Sequence, residues 1–234
     1  MNNTSNPLIS VIIPVYNAER YIEEAICSVL EQDFRPIEIV CIADGPSDRS
    51  LEIAQKYAPT VRTYTQANQG AAAARNRGVE MSTGSVLAFL DADDRWTPYK
   101  LRLQADALAV DPGLDMVFGQ ARQLHDGEEW NLGVSQLTCA PGELMAGMIP
   151  GTWMVRRDCF SRVGPLRTDY RIGEFIEWYA RAIDMGCRAT VLPDLLLWRR
   201  IHDSNLGVRE RKSAPDYARV LKSALDRRRA AQLK

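Results

Sequence analysis

Along the first hundred residues, short apolar runs alternate with stretches of helical period. Residues 8–14 read as a buried strand ending in Pro14-Val15-Tyr16-Asn17, where Asn17 can cap a helix predicted over 18–32. Ile22, Ala25, Ile26, Val29 and Leu30 give that helix an apolar face at spacings of three and four, and Arg35-Pro36 breaks it. A second strand over 37–43 ends in Asp44-Gly45-Pro46-Ser47-Asp48, and Ser47 or Asp48 can start a helix over 50–57. A third strand is predicted over 61–65. Asn68-Gln69-Gly70 then leads into an Ala-rich helix over 71–81 that carries Arg75 and Asn76, and Thr83-Gly84 turns the chain into a fourth strand over 85–90.

Strand and helix alternating through short turns imply right-handed crossovers, hence a parallel sheet with helices on both faces. The polar strand ends Tyr16-Asn17, Asp44-Gly45 and Asp91-Ala92-Asp93 then fall on one edge. The fourth strand is the most telling, because its apolar run stops in three carboxylates, Asp91, Asp93 and Asp94. An apolar interior cannot hold unpaired charges, so these acids belong past the strand's carboxyl end, where open α/β sheets bind ligands. Like charges this close call for a cation among them. Oxygen ligands suit Mg²⁺ or Mn²⁺, ions that commonly bring substrate phosphates with them. Asp94 precedes Thr97-Pro98, an expected N-cap and first helical position, and reads as a solvated, cap-side acid. A calcium loop starting at Asp91 is excluded by Trp96 at its sixth position and Arg102 at its twelfth. No G-x-G-x-x-G follows the first strand and there is no P-loop.

In the second half, helices are predicted over 98–110, 158–163, 173–185 and 214–232. Strands are predicted over 114–123, 152–156, 189–192 and 195–201, with a hairpin turn at Asp126-Gly127 and a loop over 133–142. The terminal helix is basic and amphipathic: Tyr217, Val220, Leu221 and Leu225 recur at helical spacing among Arg219, Lys222, Arg227, Arg228 and Arg229. Docking of this stripe on the domain or on a second copy is the favoured reading, and peripheral membrane contact the less favoured one.

With 234 residues, 46% of them apolar, the chain can build one large α/β domain. A formal net charge of -1 gives no global pointer to nucleic acid. Five widely spaced cysteines, with no C-x-x-C, argue for buried reduced thiols rather than a disulfide framework or a zinc site. No apolar run approaches a membrane span and residues 1–7 lack a signal-peptide apolar stretch, so a soluble cytoplasmic protein is expected.

Four stretches carry a resemblance to a known family. They are Val11-Ile12-Ile13-Pro14-Val15-Tyr16-Asn17, Ile42-Ala43-Asp44-Gly45-Pro46-Ser47-Asp48, Asn68-Gln69-Gly70 with Ala74-Arg75-Asn76-Arg77-Gly78, and Leu90-Asp91-Ala92-Asp93-Asp94 with Trp96, Pro98 and Lys100-Leu101. Together and in this order they resemble the inverting, nucleotide-sugar-dependent glycosyltransferases of family 2, which have the GT-A fold. The resemblance implies a single Rossmann-like, mostly parallel sheet flanked by helices. It implies a glycosyltransferase domain over 1–212, with a donor half over 1–110 and an acceptor half over 111–212, followed by the helical tail over 213–234. It implies sugar transfer from a nucleoside diphosphate sugar, a UDP-sugar first among them, to an acceptor hydroxyl, with Mn²⁺ or Mg²⁺. Pro14, Tyr16, Asn17, Asp44, Gly45, Asn68, Arg75, Asp91 and Ala92 would bind the donor and Asp93 would bind the metal, with His202 either a further metal ligand or a structural histidine. The family's base belongs to an acidic pair at the start of a late helix. Here that start reads Glu174-Phe175-Ile176-Glu177, which makes Glu174 the expected base and Glu177 the alternative. Ala43 stands where the family often has a second acid beside Asp44.

Two catalytic rivals fit less well. A nucleotidyltransferase wants a Gly-rich loop after the first strand, and a haloacid-dehalogenase-type phosphatase wants its Asp-x-Asp after the first strand rather than the fourth. A non-catalytic sugar- or nucleotide-sugar-binding module on the same fold is the alternative from another class. The acceptor, whether glycan, lipid-linked sugar, peptide or small metabolite, is left open, and a homodimer is compatible with the sequence.

Overall fold

Four parallel strands form the amino-terminal half of the sheet, in the order β3-β2-β1-β4: β1 (Ile9–Val15), β2 (Ile37–Asp44), β3 (Val61–Gln66) and β4 (Val86–Phe89). The computed structural model describes residues 6–125, 145–203, 205 and 215–232. Helices α1 (Ile22–Leu30), α2 (Ser50–Gln55) and α3 (Ala71–Glu80) make the crossovers. Because β1 is covered on both faces, its side chains other than Ser10 are apolar on both. Ile9, Val11 and Ile13 pack in one core with Ile22, Ala25, Ile26 and Val29 of α1, while Ile12 packs in a second core with Phe89 and Trp153. A Cβ at Gly78 would stand 2.3 Å from Ile12 Cγ2, so α3 can lie against β1 only with glycine there.

The second half continues the same sheet. It comprises β5 (Arg95–Trp96), α4 (Lys100–Val110), β6 (Met116–His125), β7 (Met145–Gly147), β8 (Met154–Arg156), α5 (Arg157–Val163), α6 (Glu174–Asp184), β9 (Ala189–Ile201) and α7 (Pro215–Gln232), with a 3₁₀ turn at Pro150–Thr152. β8 is antiparallel to both β4 and β6, so β6 runs with β4; β9 is parallel to β6, and β5 is antiparallel to β9. The described sheet is therefore mostly parallel and flanked by helices, as the alternating pattern implies.

Several local expectations change. The two strands predicted over 189–192 and 195–201 are one, β9: register shifts against β6 between Phe118 and Gln120 and between Gln120 and Ala121 absorb Pro193 as a bulge. β5 and β7 have two and three residues, too few to show a period. Asn17 does not cap α1. It stands at φ 49 with Oδ1 accepting from the Ser47 backbone N–H at 2.8 Å, and α1 starts only at Ile22, without a side-chain cap. Helix α4 starts at Lys100, not Pro98, and Thr97 Oγ1 donates instead to Leu195 O at 2.9 Å. The turn at Asp126-Gly127, the loop over 133–142, Cys139 and residue 214 lie outside the described residues.

Helix α7 packs on α6, but not through the expected stripe. Of its four apolar residues only Val220 is buried; Tyr217, Leu221 and Leu225 are exposed. Charge pairs make the dock: Arg227 and Arg228 reach Asp184, Arg227 reaches Glu177, and Arg219 reaches Asp169. No described helix is long and apolar enough to cross a membrane.

At the edge where β1, β2 and β4 begin, one carboxylate gathers the backbone. Glu38 Oε1 accepts from Ser10 Oγ at 2.6 Å, Thr83 N at 2.6 Å and Gly84 N at 2.9 Å, and its other oxygen meets Arg62. Burial, the largest influence, pushes this carboxyl up; the hydrogen bonds from Ser10, Thr83 and Gly84, together with Arg62, outweigh it and hold the group below its ordinary value. A depressed carboxylate stabilises the fold above its unfolded pKa, and that stabilisation is lost as pH falls through the folded pKa. The stability gap between the parent chain and Glu38→Gln is therefore expected to be widest near neutral pH and to narrow as pH falls into the acid range, read by urea unfolding at a series of pH values.

Candidate functional site

The ends of β1, β2 and β4 meet on one edge of the sheet, and the loops after them are tied together. Pro14 lies half-buried in β1 and Tyr16 is exposed beyond it. Asn17 holds the following loop to Ser47 of the next one, and Ala18 N donates to Ser50 Oγ at 2.8 Å. Asp44 is buried at the end of β2. Its Oδ1 accepts from Gln66 Nε2 at 2.8 Å and Gln69 N at 2.9 Å, and its Oδ2 from Gly70 N at 2.8 Å. Asp44 thereby draws in the segment with Asn68 that leads to α3. A Cβ on Gly45 (φ 63) would come within 2.9 Å of Asn68 N, so this approach needs glycine.

The three acids after β4 have three different surroundings. Asp91 Oδ1 lies 2.6 Å from a terminal nitrogen of Arg75, whose other terminal nitrogen lies 2.8 Å from Glu174 Oε1. Burial, the largest influence on Arg75, favours its neutral form, but Asp91 and Glu174 outweigh it and raise its pKa, so the guanidinium stays charged. Arg75 Nε is buried with no hydrogen-bond partner among the described residues. Ala92 packs into the core beneath.

Asp93 turns the other way. Its Oδ2 lies 3.1 Å from His202 Nε2 and 3.2 Å from Asn205 Nδ2, and the Tyr21 ring packs on the imidazole with centroids 4.8 Å apart. A carboxylate and an imidazole converging at a strand-end edge are a fitting donor pair for a divalent ion whose other positions go to phosphate oxygens and water.

Asp94 is not a solvated cap. It is buried and accepts from Arg200 N at 2.9 Å. Burial, then Asp93 and Asp91, push its carboxyl well above the ordinary range. Arg200 covers the group, with Nε 3.2 Å from Asp93 O and a terminal nitrogen 2.6 Å from Glu24 Oε2. Sequence reasoning missed Arg200 and Asn205; the signal for the first was Arg199-Arg200 just before His202, cations suited to clustered acids.

Glu174 and Glu177 part company. Glu174 opens α6 at the sheet edge, whereas Glu177 is fully buried between Arg181 (2.9 Å) and Arg227 of α7 (3.1 Å). Phe175 between them packs against Trp153 and Phe118, with ring centroids 5.1 and 6.0 Å away.

The profile of "Glycosyl transferase family 2" matches residues 10–164. The Escherichia coli (strain K12) protein named uncharacterized glycosyltransferase YibD is 48% identical over 101 residues, 42% of this chain and 29% of that protein. The Bacillus subtilis (strain 168) protein named uncharacterized glycosyltransferase EpsJ is 46% identical over 91 residues, 38% of this chain and 26% of that one. These matches span less than a third of either relative's length. Among solved structures, S. aureus TarS 1-349 in complex with UDP superimposes with a TM-score of 0.68 at 22% identity, over 83% of this chain and 61% of that one. Mannosyltransferase PcManGT from Pyrobaculum calidifontis in complex with GDP-Man and Mn²⁺ does so with a TM-score of 0.68 at 20% identity, over 95% and 65%. At these identities the structural likeness shows the fold.

Glu177 serves the stability of the fold, closed between Arg181 and Arg227. Glu177→Gln leaves two arginines facing a neutral amide and should cost about 3 kcal/mol, the low end for removing one partner of a buried ion pair. Urea unfolding reads this, and a variant as stable as the parent would show that the three-way pairing is energetically empty.

Proposed function

The chain belongs to glycosyl transferase family 2, and on that premise we propose that it is a metal-dependent inverting glycosyltransferase. It moves a sugar from a nucleoside diphosphate sugar, a UDP-sugar first among them, to an acceptor hydroxyl. The observation that carries this reading is the meeting, on one sheet edge, of the Asp93–His202 pair with the Asp91–Arg75–Glu174 bridge. The fold shared with TarS, solved with UDP and with UDP-GlcNAc, and with PcManGT, solved with GDP-Man and Mn²⁺, supports a nucleoside diphosphate donor. Pro14, Tyr16, Asn17, Asp44, Gly45 and Asn68 serve the nucleoside, and Arg75, Asp91 and Ala92 the ribose and diphosphate side.

Mn²⁺ or Mg²⁺ held by Asp93 and His202 would neutralise the charge that grows on the departing diphosphate. Inversion is a single displacement: the acceptor oxygen attacks the anomeric carbon as the bond to the diphosphate oxygen breaks, and the bonding electrons leave with the diphosphate. The acceptor's proton goes to Glu174. Arg75 takes Glu174 Oε1, while Oε2 makes no hydrogen bond among the described residues and can receive that proton. Glu177, buried beneath α7, is not the base in this reading.

Two measurements test it. Asp93→Ala should lose the Mn²⁺-dependent part of UDP affinity in calorimetric titration while keeping the parent's unfolding midpoint, since the side chain stands at a strand end; unchanged affinity removes Asp93 from the metal site. Glu174→Gln should lower kcat by roughly 10² or more with donor affinity nearly unchanged, compared at equal folded fraction because Glu174 also pairs with Arg75. Donor binding by the parent chain without transfer or hydrolysis would make it a binding module instead.

A further inference from the structure

Two thiols lie together away from the strand-end site. Cys159 sits in α5, and Cys187 follows the turn that closes α6, just after Gly186 at φ 77. Both are buried and reduced, and their sulfurs stand 3.1 Å apart. Cys187 Sγ also accepts from Arg162 at 3.3 Å, through the nitrogen that reaches Asp115 Oδ1 at 3.1 Å. Burial, and then the neighbouring Cys187 sulfur, push the Cys159 thiol up, as burial alone pushes Cys41 in β2 up to about 12.

We propose that Cys159 and Cys187 form a redox-modification site, a dithiol that closes to a disulfide with a low-molecular-weight disulfide oxidant of the glutathione class and reopens with excess thiol. Cys187, whose sulfur accepts from the Arg162 guanidinium, attacks one sulfur of oxidised glutathione. The glutathione S–S bond breaks, one glutathione leaves as thiol, and a mixed disulfide forms on Cys187. Cys159 gives up its proton and attacks the Cys187 sulfur, the mixed S–S bond breaks, and the second glutathione leaves with that bond's electron pair and takes up a proton. Two thiol protons and two electrons thus pass to one oxidised glutathione, giving two reduced ones. The new bridge joins α5 to the far end of α6 and closes the loop from 159 to 187, the segment that carries Glu174.

A metal reading shares part of this geometry, since Asp115 and the two sulfurs offer ligand atoms within 4.8 Å of one another. The guanidinium of Arg162 already lies on both Asp115 and Cys187, and the other Asp115 oxygen accepts from Arg188 N at 2.9 Å. A cation in the cluster would face that guanidinium, which favours the dithiol.

The experiment incubates the full chain in buffers of graded oxidised-to-reduced glutathione ratio, alkylates the remaining thiols, maps the peptides by mass and follows thermal unfolding. The expected result is one intramolecular bridge, Cys159–Cys187, reversed by dithiothreitol, with Tm raised by roughly 5–10 °C through the closed loop. Cys159→Ser should trap the mixed disulfide on Cys187, and Cys187→Ser should form neither species. Absence of the bridge at every ratio overturns the proposal, as does bridging through Cys27, Cys41 or Cys139 instead. Uptake of one equivalent of Zn²⁺ that blocks bridging and is lost in both serine variants also overturns it, in favour of a metal site.

Discussion

A charge that cannot leave the protein interior organises this molecule. Arg75 is buried in α3, and a buried guanidinium without counter-charges would cost several kcal/mol. Its partners come from far along the chain: Asp91 from the end of β4 and Glu174 from the start of α6. The next residue in α3 makes a second clamp. Asn76 Nδ2 donates to Leu166 O at 2.8 Å and Asn76 Oδ1 accepts from Leu166 N at 2.9 Å. One turn of α3 thereby fixes both the strand end and the segment between α5 and α6. Glycine at 78 lets that helix approach β1 closely enough to do so.

The acids of Asp91-Ala92-Asp93-Asp94 look alike in sequence and differ in space because the chain rotates past the strand end. Asp91 is neutralised by Arg75, Asp93 faces an imidazole, and Asp94 turns inward under Arg200. Three carboxylates this close repel one another, and the arrangement relieves that repulsion in three ways: by a permanent cation, by a ligand pair able to share a metal ion, and by a raised pKa. Arg200 links the last two, covering Asp94 with its backbone N–H and reaching the Asp93 carbonyl with its guanidinium.

How legible this was in the sequence follows from how local each determinant is. Strands buried on both faces and joined by short crossovers declare themselves as apolar runs, so β1, β2 and β4 and the polar residues at their ends could be read directly. The pairing of Asp93 with His202 could be anticipated only through the family pattern, because those residues lie 109 positions apart. What escaped depends on partners remote in sequence. Asn17 looks like a cap until Ser47 claims its side chain. Asp94 looks solvated until β9 folds over it, and β5 is a strand only because β9 is there to pair with it. The tail's amphipathic stripe pointed to apolar docking, but Asp169, Glu177 and Asp184 pair with its arginines and leave Leu221 and Leu225 outside.

Helix α6 shows why the acidic pair of the family pattern is altered here. Phe175, Trp178 and Ala182 fall on one helical stripe, and all three are buried. That stripe faces Trp153, Phe118 and Phe160, an aromatic core in which a carboxylate at 175 would have no partner. Once the helix is seated on this core, 175 must be apolar, and the acids are left to its flanks. Glu174 then stands toward α3 and the strand ends, held by Arg75, while Glu177, almost one turn later, stands toward α7 and is closed in by Arg181 and Arg227. The aromatic packing that displaces the second acid thus also separates the two that remain, turning one toward the sheet edge and the other toward the tail.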